Sequence, residues 1–523
     1  MDAGWRPSRT KRRVRHCGSL LALAILLAGC KPLPQPPGRP TALPAPDTGS
    51  TSLARSIGPL AAAHPGRSGV LALASGHDAF AARILLAGAA ERTLDVQYYI
   101  WQADLSGTLL LDALRQAADR GVQVRLLLDD NNTVGLDPVL AALAAHPRIE
   151  VRLFNPFATR DWRWLGYLTE FARLNRRMHN KSFTADRQAT VIGGRNIGDA
   201  YFDAHGDLLY FDLDVMAVGP VAREVGRDFD RYWDSASAYA AEDLLPAAGP
   251  DALHALAARA AASRQQPLGR DYVAAVSASG FVRDLLARRL PLQWVPVRMA
   301  SDDPAKALGR AERKDLLWPQ IAPVIEQARE QVNLVSAYFV PAERGTAFLT
   351  GLAQRGVQVR VLTNGLAATD VPVVHAGYAR RRPALLEGGV QLFELERSAS
   401  PPPVQAQSPL AGSSVSSLHA KTFSVDGRWI FVGSFNFDPR SARLNTEMGF
   451  LIESPDMALA MERSLQAGLP QRAYQVRAAA DGSLRWLEHR SDGERVHDQE
   501  PGTSVALRWM VRALSWLPIE WLL

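Results

Sequence analysis

One short motif occurs twice in this chain of 523 residues, once in each half of the sequence. In each copy a histidine is followed at fixed spacing by a lysine and an aspartate: His179, Lys181 and Asp186, then His419, Lys421 and Asp426. A pair of small residues and an asparagine follow each copy at the same distance: Gly193, Gly194 and Asn196, then Gly433, Ser434 and Asn436. This repeat indicates an internal duplication, which constrains the fold to two related units.

The predicted strands and helices also repeat around the two copies. The pentapeptide Gly-Val-Gln-Val-Arg opens a buried strand at residues 121–125 and again at residues 356–360. A strand and then a helix precede it in both places, with the strands near residues 93–101 and 332–339. Such strand–helix–strand units form right-handed crossovers on a largely parallel or mixed sheet. We therefore predict an α/β fold with two pseudo-symmetric halves.

The N-terminus is typical of an exported bacterial lipoprotein. Six basic residues and one acidic residue lie within residues 1–29, and a short apolar segment leads into Leu27-Ala28-Gly29-Cys30. This end resembles a lipobox, in which cleavage leaves Cys30 as a lipidated first residue. The other cysteine, Cys17, would be removed. An ordinary signal peptide with an incidental cysteine is the alternative. We expect a periplasm-facing, membrane-anchored protein, and Lys31 after the cysteine favours the outer membrane.

Shifts in composition and the positions of linker-type stretches suggest six regions. We predict a signal peptide (1–29), a lipid-anchored flexible linker (30–69), a first half (70–240), a helical connector (241–300), a second half (301–470) and a C-terminal segment (471–523). Without the signal peptide the chain is close to neutral, so its composition does not demand a nucleic-acid-binding surface and no nucleic-acid partner is expected.

Two further segments each have two interpretations. Residues 398–417 are rich in Pro, Ser, Gln and Ala, which is consistent with a mobile loop at the mouth of the site or with a plain disordered insertion. The C-terminal segment places three tryptophans and arginines on an apolar, amphipathic helix. That helix either contacts a membrane interface or packs on the body of the protein.

The duplicated side chains suit phosphoryl displacement. Two imidazoles can take opposite tasks, because one attacks phosphorus while the other protonates the leaving oxygen. Two lysines and two asparagine amides, from Asn196 and Asn436, can stabilise the charge on the non-bridging oxygens. Neither half contains a cluster at metal-ligand spacing, so we predict no metal and no other cofactor.

A nucleophilic imidazole requires a carboxylate on its other nitrogen. In the second half the candidate is Glu447, which follows His419 on an apolar strand. In the first half Asp212 is preferred, with Asp214 as the second choice.

Other motif residues have a structural interpretation. Asp186 and Asp426 are expected to cap a turn by hydrogen bonding without touching substrate. Gly193 and Gly194 could serve only a tight turn.

Together these residues resemble the phospholipase D superfamily, whose signature is this His-Lys-Asp motif followed by Gly-Ser-x-Asn. Residues 173–181, 193–199 and 517–520 are similar to the bacterial cardiolipin synthase C group. The resemblance implies two phospholipase D-like α/β/α sandwich halves with a shared active-site cleft. It further implies metal-independent phosphatidyl transfer through a phosphohistidine, in which His179 attacks and His419 is acid and then base. Gly194 departs from the signature serine, which Ser434 retains, so the halves need not bind phosphate equally.

The leading hypothesis is synthesis of cardiolipin from two membrane phospholipids, with phosphatidylglycerol and phosphatidylethanolamine as candidate substrates and the membrane surface as partner. Phospholipase D-type hydrolysis to phosphatidic acid uses the same site with water as the acceptor. A superfamily nuclease and a lipoprotein scaffold with a decayed site are the remaining alternatives. The oligomeric state is left open.

Overall fold

A computed structural model of the chain describes residue 33 and residues 47–160, 162–204, 208–287, 289–397, 415–490 and 493–523. The predicted signal peptide, Cys30 and most of the segment 398–417 lie outside these ranges. Within them, every helix is too short or too polar to cross a membrane.

Strands and helices alternate along most of the chain. The strands of the described residues, β1 to β21, are Ser68–Leu73, Thr93–Tyr98, Gln123–Asp129, Ile149–Phe154, Ser182–Ala185, Ala189–Gly193, Leu208–Phe211, Asp214–Val218, Ala238–Ala240, Gln293–Val295, Val297–Ser301, Gln331–Ser336, Gln358–Asn364, Gln391–Leu395, Val415–Leu418, Lys421–Val425, Trp429–Gly433, Met448–Glu453, Ala473–Ala478, Leu484–Arg490 and Gly493–His497. The α-helices, α1 to α17, are Ser52–Ala62, Gly76–Ala89, Leu105–Asp119, Asp137–Ala144, Arg163–Thr169, Phe171–Leu174, Pro220–Trp233, Ala252–Gln265, Pro267–Ser277, Gly280–Leu286, Leu317–Glu326, Ala342–Gln354, Pro372–Ala379, Arg382–Glu387, Pro439–Arg443, Pro455–Arg472 and Val505–Ser515. Short 3-10 helices are Asp130–Asn132, Asp199–Tyr201, Ala241–Asp243, Pro304–Leu308, Arg313–Asp315 and Glu520–Leu522.

Two large mixed sheets confirm the predicted α/β fold with pseudo-repeated halves. The first has nine strands in the order β10-β1-β8-β6-β5-β2-β3-β4-β9, and the second has ten in the order β11-β18-β17-β16-β12-β13-β14-β19-β20-β21. In each sheet three strands are parallel, β2-β3-β4 and β12-β13-β14, and the motif strand, β5 or β16, pairs antiparallel with the first of them. Strand β2 is buried along its whole length, as expected for a sheet covered by helices on both faces.

The two halves share a core. Side chains of β6 and β8 pack against side chains of β17 and β18, and the cluster includes Ile192, Val215, Val432 and Phe450. A separate two-stranded sheet pairs β7 of the first half with β15 of the second in parallel. Apolar packing and backbone hydrogen bonds therefore both join the halves, which places the two motif copies on opposite sides of one seam.

The region predicted as a linker, residues 30–69, is partly folded, and the prediction is wrong for its end. Helix α1 begins after Thr51, whose hydroxyl accepts a hydrogen bond from the Ala54 N–H (3.2 Å), and strand β1 begins at Ser68. Ile57 is buried and Leu53 packs beside it in the core of the first half. Apolar residues four apart on one helix face explain why this Ala- and Pro-containing stretch is helical.

Elements near the other predicted boundaries join one half or the other. The connector helices α8 to α10 pack on α2, α3 and α4 of the first half. Strands β19 to β21 extend the second sheet past residue 470. Helix α17 packs through Val511 against Ala376 of α13, and its opposite face is exposed.

Candidate active site

Both motif histidines lie immediately before a central strand, at the seam between the halves. The His179 N–H donates to the Thr446 carbonyl of the second half (2.9 Å). The His419 N–H donates to the Phe211 carbonyl of the first half (2.8 Å). Each histidine is therefore attached by its backbone to the opposite half, and both side chains are largely buried.

The carboxylates are exchanged between the halves. His179 Nδ1 lies 2.8 Å from Glu447 Oε2, and His419 Nδ1 lies 2.6 Å from Asp212 Oδ2. Asp212 precedes β8 and Glu447 precedes β18, which are equivalent neighbours of β6 and β17. The sequence indicates one candidate carboxylate in each half, and the structure pairs each of them with the histidine of the opposite half. The physical reason is that each histidine stretch crosses the seam and pairs its backbone with the opposite half.

The second-choice carboxylate, Asp214, has a different environment. Its Oδ2 lies 2.9 Å from the guanidinium of Arg83, and its Oδ1 accepts a hydrogen bond from the Arg195 N–H (3.2 Å). Asp214 and Arg83 are fully buried, so removing one partner would leave an uncompensated charge. Asp214 is therefore engaged by Arg83 and Arg195 and does not serve as the partner of a motif histidine.

Both motif lysines are buried beside their histidines. Lys181 Nζ donates to the His179 carbonyl (2.6 Å). Lys421 Nζ lies 3.1 Å from His419 Nδ1 and also donates to the His419 carbonyl. Burial lowers the pKa of Lys181 well below its usual value and that of Lys421 to about 8. A bound anion would favour the charged form of both amines.

In the empty site the His419–Asp212 pair carries a negative charge at pH 7. Burial raises the pKa of Asp212, but the neighbouring His419 and Lys421 more than offset this effect and bring that pKa to about 2. Burial, followed by the charge of Lys421, lowers the pKa of His419 to about 4. In the empty site the imidazole is therefore neutral at pH 7 and the carboxylate is ionised.

The His179–Glu447 pair differs in charge. Burial raises the pKa of Glu447 to about 7, although Lys181 and the hydroxyl of Ser434 oppose the shift. Burial also lowers the pKa of His179 well below its usual value. Near neutral pH the titrating group of this pair is thus the carboxyl, whereas Asp212 in the other pair stays ionised.

Gly194, which replaces the signature serine in the first half, lies against Asp212, the shorter of the two carboxylates. Ser434 Oγ donates to Glu447 Oε2 (2.5 Å). At Gly194, by contrast, an added Cβ would lie 2.1 Å from Asp212 Oδ1. Because an aspartate is one methylene shorter than a glutamate, its carboxylate lies against the neighbouring strand and leaves no room for a side chain. Gly194 is therefore required by contact with Asp212.

The motif asparagines lie against the residues that follow β2 and β12, the first parallel strand of each sheet. Asn196 Oδ1 accepts from the Ile100 N–H (3.2 Å), and its Nδ2 donates to Tyr201 Oη (3.1 Å). Asn436 Oδ1 accepts from the Tyr338 N–H at 3.5 Å. The equivalent backbone contacts orient both amides, which leaves amide N–H donors as candidate ligands of a phosphate oxygen.

Aromatic rings enclose both histidines, and the sequence-based reasoning missed them. The ring of Tyr99 packs edge-on against His179 with centroids 4.9 Å apart. Tyr201 and Tyr210 each lie 5.1 Å from the ring of His419. The position of Tyr99, at the end of a duplicated strand, was the available signal. For Tyr201 and Tyr210 the motif spacing contained no such signal.

Asp186 and Asp426 anchor the motif strands. Both have left-handed backbone conformations, with φ of 50° and 51°. Asp186 accepts hydrogen bonds from the N–H groups of residues 91–93, and Asp426 accepts them from residues 329–331, at 2.8–3.0 Å. These contacts support their predicted structural role.

Side chains that could bind a metal are not grouped in the described part of the chain. Throughout the described ranges, no three His, Cys, Asp or Glu side chains are placed to hold an ion. What the seam does bring together is two imidazoles with carboxylates on Nδ1, two lysines and two oriented amides.

We expect Gly194→Ser to reduce turnover about 10–100-fold, because the new Cβ displaces Asp212 and with it the ring of His419. Steady-state kinetics on a phosphodiester substrate would measure the effect. Gly88→Ser is the matched control, since a Cβ at that helical position meets nothing within 4 Å. Normal turnover of Gly194→Ser would contradict the packing argument.

We expect kcat/KM to fall as the pH drops through about 7, because protonated Glu447 no longer accepts the Nδ1–H of His179. Glu447→Gln should remove this decrease at low pH, the acidic limb of the pH profile. It should also lower kcat/KM by about 10²–10⁴-fold. Asp212→Asn should also reduce kcat/KM, but it should keep the limb, since Asp212 titrates near pH 2. A limb that persists in Glu447→Gln would assign the titration to another group.

Comparison with known proteins agrees with this geometry. The family described as "Cardiolipin synthase, PLD-like domain" matches residues 84–233 and 321–468, one match in each half. Cardiolipin synthase C of Escherichia coli K12 is 49% identical over 472 residues, which cover 90% of this chain and 99% of that protein. Cardiolipin synthase B of the same strain is 26% identical over 389 residues, 73% of this chain and 75% of that one.

A solved structure shares the fold. The phosphatidylserine synthase of Haemophilus influenzae Rd KW20 superimposes with a TM-score of 0.55 at 15% sequence identity, covering 87% of this chain and 95% of that one. The family match spans more than half of the chain, and the relative from E. coli aligns over nearly its full length. The chain therefore belongs to the family of cardiolipin synthases built from phospholipase D-like domains.

Proposed function

We propose that this protein transfers a phosphatidyl group from one membrane phospholipid to another to form cardiolipin. The observation that carries the proposal is the pair of exchanged His–carboxylate contacts at the seam, His179–Glu447 and His419–Asp212. The name of its relative from E. coli, cardiolipin synthase C, agrees with this activity.

In the first step His179 Nε2 attacks the phosphorus of the donor lipid. A P–N bond forms, the P–O bond to the headgroup breaks, and His419 gives its proton to the leaving oxygen. In the second step His419 removes the proton from the acceptor hydroxyl, whose oxygen attacks phosphorus as the P–N bond breaks. The lysines and Asn196 and Asn436 stabilise the charge on the non-bridging oxygens.

The charges at the seam support this assignment of roles. A carboxylate that stays ionised, Asp212, favours the imidazolium form of His419, which an acid requires. In the empty site burial and Lys421 outweigh Asp212 and keep His419 neutral. The negative phosphodiester opposes this lowering of the pKa when it binds, so the proton is taken up with the substrate. His179 must be neutral to attack, and its partner Glu447 accepts the Nδ1–H, which leaves Nε2 with its lone pair.

The cellular location fits lipid substrates. The lipobox at Cys30 would anchor the chain to a membrane and expose the site to the periplasm, with the outer membrane favoured. Phosphatidylglycerol and phosphatidylethanolamine are the proposed donor and acceptor pool. Tethering raises the local concentration of lipid relative to that in solution. An abundant acceptor favours transfer over hydrolysis of the phosphohistidine.

His179→Ala and His419→Ala are each expected to lower cardiolipin formation by about 10³-fold or more, because neither half alone contains both an attacking group and an acid. His254→Ala, at an exposed position on α8, is the matched control and should retain activity. Near-normal turnover of either motif variant would contradict the shared site.

Labelled phosphatidylglycerol mixed with phosphatidylethanolamine in vesicles distinguishes the two possible outcomes. We expect labelled cardiolipin, with or without a chelator. Labelled phosphatidic acid as the sole product would instead identify a phospholipase D-type hydrolase with water as the acceptor. Loss of activity in the chelator would show that the site requires a metal.

A further inference from the structure

Exposed large apolar side chains are concentrated in two segments. Four lie on or beside α5 and α6: Trp162, Trp164, Leu168 and Phe171. Six lie at the C-terminus: Val505, Trp509, Met510, Trp516, Leu517 and Trp521. Exposed apolar residues of soluble proteins are usually scattered singly, whereas clusters mark interaction surfaces. We call these ten side chains the tryptophan face.

Arg440 joins the residue after α6 to the end of the chain. Its guanidinium donates to the Asn175 carbonyl (3.0 Å), directly after α6, and to the Leu522 carbonyl (3.0 Å). Its backbone N–H also donates to the Leu523 carbonyl (2.8 Å). One side chain thus bridges the end of α6 and the end of the chain.

Helix α17 has the pattern of an interfacial helix. Its inward side packs Leu507, Val511 and Leu514 against the second half. The outward side carries Trp509 and, just after the helix, Trp516, which are 63% and 73% exposed. The packed side explains why the helix is stable, and the exposed indoles have no covering element among the described residues.

The position of this surface links it to the chemistry. Asn175 lies four residues before His179, and Arg440 lies four residues after Asn436. The residues that join the two segments are therefore close in sequence to both motif copies.

Charge favours one occupant. Arg160, Arg163, Arg173 and Arg177, beside the first segment, are each paired with a carboxylate and add little free positive charge. On α17, Arg508 and Arg512 form no ion pair within the described ranges, against one acidic residue in that segment, Glu520. Glu520 is itself paired with Arg381. A second copy of the chain would present the same positive charge, which disfavours self-association, whereas anionic lipid headgroups are complementary. Tryptophan and arginine together suit the boundary between headgroups and acyl chains.

We propose that the tryptophan face docks on an anionic phospholipid bilayer and orients the chain so that the His179–His419 site lies near the headgroups. The inference rests on the proposed function only in naming the purpose of docking. It goes beyond the lipid anchor, because a tether sets distance whereas a docked face also sets orientation.

The test uses the full chain reconstituted in phosphatidylglycerol and phosphatidylethanolamine vesicles with brominated acyl chains, which quench tryptophans that enter the bilayer. We expect quenching in the unaltered chain and loss of most of it in Trp164→Ser/Trp509→Ser/Trp516→Ser. Leu286→Ser, at an exposed apolar position on α10 outside the face, should leave quenching unchanged. Equal quenching in the triple variant and the unaltered chain would overturn the proposal.

Activity provides a second readout. The triple variant should lose about tenfold in cardiolipin formation on vesicles and stay within about twofold in detergent mixed micelles, where docking is not needed. If the unaltered chain forms no cardiolipin in either medium, the proposed function fails while the quenching result still decides docking. If the triple variant changes a dimer into a monomer without altering quenching, the face is a contact between copies and the proposal is wrong.

Discussion

The exchanged hydrogen bonds between histidines and carboxylates are the interaction on which the rest of the site depends. Each half contributes an imidazole to one pair and a carboxylate to the other, so neither pair exists within one half. The arrangement requires the two sheets to pack in register, which the shared apolar core and the paired β7 and β15 strands provide. Assembly of the site is therefore coupled to the packing of the halves.

The pseudo-symmetry is broken by one methylene group. A glutamate on one side reaches a serine hydroxyl, and an aspartate on the other fits only against a glycine. The two carboxylates also differ in charge at neutral pH, since burial raises the pKa of Glu447 to about 7 while Asp212 titrates near 2. A duplicated frame can in this way give its two histidines different tasks, one as nucleophile and one as acid.

Supporting contacts extend outward from the carboxylates. The Glu447 N–H donates to Asp302 Oδ2 (2.8 Å), and Lys306 pairs with the same carboxylate (2.8 Å). Lys306 also donates to the Ser441 carbonyl (2.7 Å), next to the arginine that joins the tryptophan face. A buried charge needs such partners, because desolvation without them costs several kcal/mol, on the order of a sizeable fraction of a domain's stability. The same loop region thus links the site to the proposed membrane surface.

Sequence by itself determined the duplication, the α/β class and the identity of the motif residues, because periodicity, spacing and residue chemistry are local properties. It also proposed Asp212 and Glu447 as the carboxylates, and both contact a motif histidine. Only the tertiary structure decided which histidine each one contacts, since that depends on backbone pairing between residues far apart in the chain. It likewise revealed that Gly194 is required by its contact with Asp212, that α1 folds within the predicted linker, and that Arg440 joins the end of α6 to the end of the chain. Each of these outcomes depends on three-dimensional packing, which residue spacing does not encode.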